Sequence, residues 1–247
     1  MCEVWKQIMR MNGKKDGVLM ACYACLLVIG GLLTWLEYDY NVVKMEDVRE
    51  ACGYVSASAT PVEAPKIALT FDDGPSAAWT PVLLDGLKER GVKATFFLIG
   101  ENADKNPEIV KRMAEEGHLI GNHTYHHVEL TKVSENEARL ELADTSAVIV
   151  RITGKEPEYM RPPFGAWQRK LEREIQMLPV LWTIDPLDWT TENQDEIVNK
   201  VVTEAEENDI ILLHDCYKSS IEAGLRIVDI LQEEGFMFVT VDELLLN

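Results

Sequence analysis

The stretch Ile67-Ala68-Leu69-Thr70-Phe71-Asp72-Asp73-Gly74-Pro75 decides how the rest of this chain is read. Its first five residues are a short apolar run, which predicts a buried strand over Ile67–Phe71. Two adjacent carboxylates follow, and Gly74-Pro75 imposes a turn that fixes both at the rim of a sheet. Working outward, similar runs recur at Thr95–Ile99, Leu119–Asn122, Tyr159–Arg161, Val180–Ile184, Ile210–Leu213 and Phe236–Val239, giving seven strands. Polar segments with helical spacing alternate with them, at Trp79–Arg90, Pro107–Glu116, Ser134–Thr153, Ala166–Met177, Gln194–Glu207 and Ser220–Glu234. Gly91, Gly117, Gly154 and Gly235 follow four of these segments, where a left-handed C-cap needs glycine. Such alternation predicts an α/β fold with a parallel sheet covered on both faces.

The strand ends carry the chemistry. Asp72 and Asp73 follow the first strand, and His123 and His127 the third. Arg161 closes the fourth, Asp185 and Asp188 follow the fifth, and His214 and Asp215 follow the sixth. In α/β barrels these ends form the active face, so the groups are expected to converge. His123 and His127 are spaced i, i+4, which on a helical turn puts both imidazoles on one side. With one carboxylate, for which Asp73 is a candidate, they would make a two-imidazole set that holds a divalent metal and leaves room for water. His126, at i+3 from His123, is the alternative to His127. Neighbouring side chains on an extended segment point apart, so one of Asp72 and Asp73 is expected to bind metal while the other serves as general base.

The 247 residues carry a net charge of −18, a surface that repels phosphate backbones and disfavours nucleic-acid partners. The charge is uneven. Residues 1–36 hold Lys6, Arg10, Lys14 and Lys15 against Glu3 and Asp16, a net of +2, and leave −20 on the remainder. Residues 17–36 are uncharged, and 20 such residues in a helix rise about 30 Å, the thickness of a bilayer's hydrocarbon core. Lys14 and Lys15 precede them, and Glu37 and Asp39 follow, so the expected topology keeps the N-terminus cytoplasmic. A cleaved signal peptide fits less well, because the nearest small-residue site, Ala57-Ser58-Ala59, lies far downstream. A lipoprotein reading through Cys22 leaves too short an apolar region before the cysteine. The expected organisation is a basic cytoplasmic segment (1–16), a transmembrane signal anchor (17–36), an extracytoplasmic stalk (37–65) and one folded domain (66–247). Cys22 and Cys25 read as small membrane-tolerant residues, and only Cys52 and Cys216 face the oxidising side.

Five ordered motifs then resemble one family. Thr70-Phe71-Asp72-Asp73-Gly74-Pro75, His123-Thr124-Tyr125-His126-His127, Arg161-Pro162-Pro163-Phe164-Gly165, Asp185-Pro186-Leu187-Asp188-Trp189 and Leu212-Leu213-His214-Asp215 are similar to the motifs of the polysaccharide deacetylases. This family is also called carbohydrate esterase family 4 or the NodB homology domain. The resemblance implies a distorted barrel of seven or eight β/α units. It implies Asp72 as catalytic base, Asp73, His123 and His127 as ligands of a metal, and His214 as catalytic acid. The metal is usually zinc, with cobalt or nickel accepted. Arg161 is implied to orient the base and Asp188 to tune the acid. The Phe164 N–H is implied to hold the oxyanion, and Trp189 and Leu212 to line an acetyl pocket. Position 164 is Phe where the family more often has Tyr. The expected substrate is an N-acetylated envelope polysaccharide, peptidoglycan foremost. The alternatives are an O-acetyl esterase on xylan or another glycan, and a tethered glycan-binding module without activity.

Overall fold

The computed structural model describes residues 64–246 except 168–169 and 171–174. The expected anchor, the stalk but for Ala64 and Pro65, and Cys52 lie outside the described residues, among which no helix is long and apolar enough to cross a membrane. Seven strands form one sheet: β1 (Lys66–Asp72), β2 (Thr95–Leu98), β3 (Leu119–Asn122), β4 (Tyr159–Met160), β5 (Leu178–Pro179), β6 (Ile210–His214) and β7 (Met237–Val239). Every pairing is parallel, in the order β5-β4-β3-β2-β1-β6. β7 pairs with Lys66–Ala68 of β1, whereas β2 pairs with Thr70–Asp72. The sheet curls into a half-barrel, and its far side approaches β6 through a bridge between Ile184 and Ile211.

The helices are α1 (Thr80–Glu89), α2 (Gly100–Lys105), α3 (Pro107–Glu115), α4 (Glu135–Thr153), α5 (Gln194–Glu204), α6 (Lys218–Glu233) and α7 (Val241–Leu245). The Ser134 side chain caps α4 by accepting from Glu137 N–H at 3.2 Å. Gly154 closes α4 at φ +73°, a conformation that favours glycine. The other three anticipated glycines also have positive φ.

Strand alternation divides the core in two. Ile67, Leu69 and Phe71 of β1, with Ile211 and Leu213 of β6, pack outward against Leu83, Leu84 and Leu87 of α1 and Ile227, Val228 and Leu231 of α6. Ala68, Phe97, Tyr159, Val180, Ile210 and Val239 pack inward and meet Val241 and Leu244 of α7. That short helix plugs the end of the half-barrel where β1 begins. At the other end the interior turns polar, with Thr70, Asp72 and Arg161 all buried.

Two expectations change. The strand expected over Val180–Ile184 is not one: the paired residues are Leu178 and Pro179, after which Val180 N–H bonds Met160 O at 2.8 Å and Thr183 and the Ile184 bridge reach Ile210 and Ile211 of β6, with no continuous ladder between. The Val180 and Leu181 carbonyls are turned to Arg161 instead. The helix expected over Ala166–Met177 lies largely outside the described residues, and its described ends are irregular. The short helices α2 and α7 were not anticipated.

Gly121 of β3 shows how tight the interior is: a Cβ there would sit 2.5 Å from Phe97 Cδ1 and 3.1 Å from Tyr159 O. Gly121→Ala should therefore destabilise the fold by about 1–3 kcal/mol through overpacking. The check is a lower urea midpoint at unchanged slope.

Candidate active site

Parallel strands end together, so the residues after them share one rim. Asp72 and His214 are register partners on β1 and β6. Arg161 follows β4, and its N–H donates to Asn122 O at the end of β3, 2.9 Å away.

Asp73, His123 and His127 offer donor atoms that lie within 4.8 Å of one another. Asp73 Oδ1 is 3.4 Å from His123 Nε2 and 3.3 Å from His127 Nε2. The imidazoles do not meet on a helical turn, as their spacing suggested. Residues 123–127 are a bend in which Thr124 (φ +64°) and His127 (φ +57°) are left-handed. Asp73 is left-handed too (φ +72°), which breaks the strand alternation. Both carboxylates therefore approach the same ring, with Asp72 Oδ2 3.8 Å from His123 Nε2.

The donor chemistry fits a cation. His123 Nδ1 lies 2.7 Å from Arg161 O, an acceptor only, so that nitrogen carries the proton and Nε2 presents a lone pair. Asp73 Oδ1 is buried with no hydrogen-bond partner. Burial works to raise the Asp73 pKa, but His123 and His127 outweigh it and hold the carboxyl below its usual range. Burial also lowers His127, favouring the neutral ring that a metal needs. His126 points elsewhere: its ring is exposed, and Nδ1 pairs with Glu141 Oε1 at 2.7 Å.

Asp72 sits beside this cluster, 3% exposed, with Oδ1 accepting from Arg161 Nη1 at 2.8 Å. The Arg161 guanidinium is wholly buried. It also donates to Thr70 Oγ1 (2.7 Å), Val180 O (3.2 Å) and Leu181 O (3.1 Å), and stacks 4.2 Å over the Phe97 ring.

On the other side, His214 Nδ1 meets Asp188 Oδ1 at 2.7 Å, and His214 N–H donates to Asp188 Oδ2 at 2.9 Å. Burial opposes a charged ring here, but the Asp188 carboxylate overcomes it and lifts the His214 pKa to about 9. Asp185 shapes the loop that delivers Asp188, its Oδ1 accepting from Leu187 N–H at 2.9 Å. Trp189, 57% exposed, lines a cleft of about 550 Å³ together with Asp188, Tyr217, Lys218 and Glu222. Leu212 is buried on β6 and does not line that cleft. The Phe164 ring is 67% exposed and packs edge-on against His127, with centroids 4.8 Å apart.

Four supporting residues had no role in the sequence reading, although Asp215 was placed at a strand end and Thr70 in the first motif. Asn122 Oδ1 accepts from Thr124 N–H, while its amide donates to Leu142 O of α4. Glu141, on the buried face of α4, accepts the Tyr125 and His126 N–H groups. Together they hold the left-handed His loop; a carboxylate on the apolar side of a helix was the available signal. Asp215, fully buried, accepts from Thr80 Oγ1, whose oxygen in turn accepts Ser76 N–H after the Gly74-Pro75 turn. Burial pushes the Asp215 carboxyl up to about 7. The fourth is Thr70, which shares the interior face of β1 with Asp72.

Known proteins share this fold. The polysaccharide deacetylase family matches residues 59–180. A peptidoglycan-N-acetylglucosamine deacetylase of Bacillus cereus is 42% identical over 195 residues, covering 76% of this chain and 71% of that protein. The peptidoglycan-N-acetylmuramic acid deacetylase PdaC of Bacillus subtilis is 40% identical over 178 residues, covering 72% of this chain and 38% of PdaC. The chain thus spans well under half of PdaC's length. The solved structure of PdaC superposes with a TM-score of 0.72 over 74% of this chain and 90% of that structure. A family 4 acetyl xylan esterase of Clostridium thermocellum, solved with a cobalt ion, is 34% identical with a TM-score of 0.68, over 72% of this chain and 89% of that one. Identity at this level, spread over most of the folded domain and joined to a common fold, leaves one assignment: the chain belongs to the polysaccharide deacetylases.

Proposed function

We propose that residues 66–247 form a metal-dependent deacetylase that removes acetyl groups from N-acetylated sugars of peptidoglycan. The observation that carries the reaction is the meeting of Asp73, His123 and His127 beside two differently partnered groups, Asp72 on Arg161 and His214 on Asp188. The names of the Bacillus cereus and PdaC relatives support the substrate. Residues 17–36 are proposed as a single membrane anchor with a cytoplasmic N-terminus, and residues 37–65 as a stalk. These would hold the domain outside the membrane, where that polymer lies.

Asp73, His123 and His127 would hold the cation, zinc by preference for such a donor set and cobalt or nickel otherwise. Once bound, a cation supplies Lewis acidity, polarising the acetyl carbonyl and lowering the pKa of a water. Asp72 takes the proton of the attacking water, aimed by its bond from Arg161. The Phe164 N–H receives the oxyanion that develops on the acetyl oxygen. His214, held by Asp188, gives its proton to the departing amine. Trp189 and Leu212 are proposed to border the acetyl group. Acetate and a free amino sugar result.

Acetate release from N-acetylated chito-oligosaccharides and peptidoglycan fragments tests this reading. Complete chelation should abolish it and added zinc restore it; Asp72→Asn should lower kcat by about 10²- to 10⁴-fold. Activity that survives either treatment overturns the mechanism. Preferential release from acetyl-xylan would transfer the same machinery to O-acetyl esters.

His127→Ala should abolish tight metal binding, while His126→Ala should leave the affinity within about twofold, as read by competition with a fluorescent chelator. Parity between the two variants would misplace the third ligand.

The His214 proton makes a separate prediction. The raised pKa keeps the ring protonated below about 9 and releases the proton above it. Stability from the Asp188 pair is therefore full below about 6.5, the unfolded value, and is lost as pH rises through about 9. In metal-free protein, NMR should place the His214 midpoint near 9, and Asp188→Asn should lower it by more than about one unit.

A further inference from the structure

We propose that Thr70 is a positioning residue for this reaction: its hydroxyl fixes the Arg161 guanidinium, and Arg161 in turn aims Asp72. The inference rests on the reading of Asp72 as base given above.

Thr70 and Asp72 are two apart on β1, so both face the half-barrel interior, and Thr70 is fully buried. The Thr70 hydroxyl donates to Ile211 O of β6 at 2.6 Å. That commits its single proton and leaves its lone pairs to the interior. Arg161 Nη1 donates to one of them at 2.7 Å and to Asp72 Oδ1 at 2.8 Å. Both protons of Nη1 are thereby assigned. Nε is committed to Val180 O and Nη2 to Leu181 O. A guanidinium is a planar fork, so these partners together set the direction of the one N–H that reaches Asp72. Val180 and Leu181 belong to the irregular segment after β5, whereas Thr70 belongs to the same strand as Asp72. Thr70 is therefore the anchor that holds the guanidinium in register with the base itself.

Losing this acceptor leaves a buried, charged N–H with no assigned partner. The guanidinium then gains by tilting toward the second carboxylate oxygen, which faces His123 at 3.8 Å. A tilt there misdirects the base without touching Asp73, His123 or His127. The competing account is that Thr70 only ties β1 to β6 through Ile211 O, in which case its loss lowers stability and nothing else.

Thr70→Val keeps the shape and removes the hydroxyl; Thr70→Ser keeps the hydroxyl. The full chain and both variants are compared for kcat and KM on N-acetylated chito-oligosaccharide at saturating zinc, for zinc affinity, and for urea midpoint. Thr70→Val is expected to lower kcat about 10- to 100-fold, with KM and zinc affinity within about twofold, and Thr70→Ser to restore kcat to within about threefold. A folded Thr70→Val with wild-type kcat overturns the inference. So does a Thr70→Ser variant as impaired as Thr70→Val, which would assign the effect to the lost methyl group. If Thr70→Val does not fold, Thr70→Ala set against Thr70→Ser makes the same comparison. Failure of the wild-type chain to release acetate from any substrate is a different outcome: it removes the reading of Asp72 and this inference with it.

Discussion

A guanidinium with no access to solvent organises this domain. Burying a charge is unfavourable by several kcal/mol unless it is fully paired, and breaking such a pair is worse than never having it. Arg161 meets that constraint with a carboxylate, a hydroxyl and two main-chain carbonyls, and with the Phe97 ring below it. Each partner is thereby restrained. Asp72 is held at the tip of β1. The Val180 and Leu181 carbonyls serve the guanidinium rather than a neighbouring strand, which is why the sheet loses its regularity there. The Arg161 carbonyl, on the same residue, accepts from His123 Nδ1 and so fixes the face that His123 turns to Asp73. One buried cation thus links the strand break, Asp72 and His123.

The interior of the half-barrel changes character along its axis for the same reason. Near the start of β1 it is filled by Ala68, Val239, Val241 and Leu244, and α7 closes it. Near the end of β1 it holds Thr70, Asp72 and Arg161. An apolar floor excludes water from beneath the guanidinium, which strengthens its hydrogen bonds and makes an unmade one expensive. Gly121 belongs to this arrangement, since the Phe97 ring needs the space that a side chain on β3 would fill.

What was legible in the sequence follows from how each element is buried. β1, β2 and β6 are buried on both faces along nearly their whole length, so they read as nearly continuous apolar runs whatever the register. The run Val180–Ile184 looks the same, because its side chains are apolar and nothing in them records that the carbonyls bind Arg161. α2 and α7 are too short, at six and five residues, for a helical period to declare itself. The His123 and His127 pairing was visible as a spacing, but the geometry was not. It rests on left-handed residues at Thr124 and His127, stabilised by Asn122 and Glu141 from outside the motif. The argument that the Asp72 and Asp73 side chains point apart failed similarly, since alternation holds only while the backbone stays extended and Asp73 leaves it at φ +72°. Tertiary partners decided these cases, and a motif lists only the residues that do the chemistry.

Asp72 and His214, proposed as base and acid, sit where backbone register puts them. Asp72 and His214 are partners across β1 and β6, and adjacent strands run about 4.8 Å apart. Their separation is therefore a property of the sheet and not of the loops above it. The two groups are then told apart by their partners: Asp72 accepts from a permanent cation, while His214 donates to Asp188. On the proposed mechanism these two partners set the direction in which protons move. On that proposal, the order of proton transfers follows from the register of two strands and the charge behind each end, not from the loops above them.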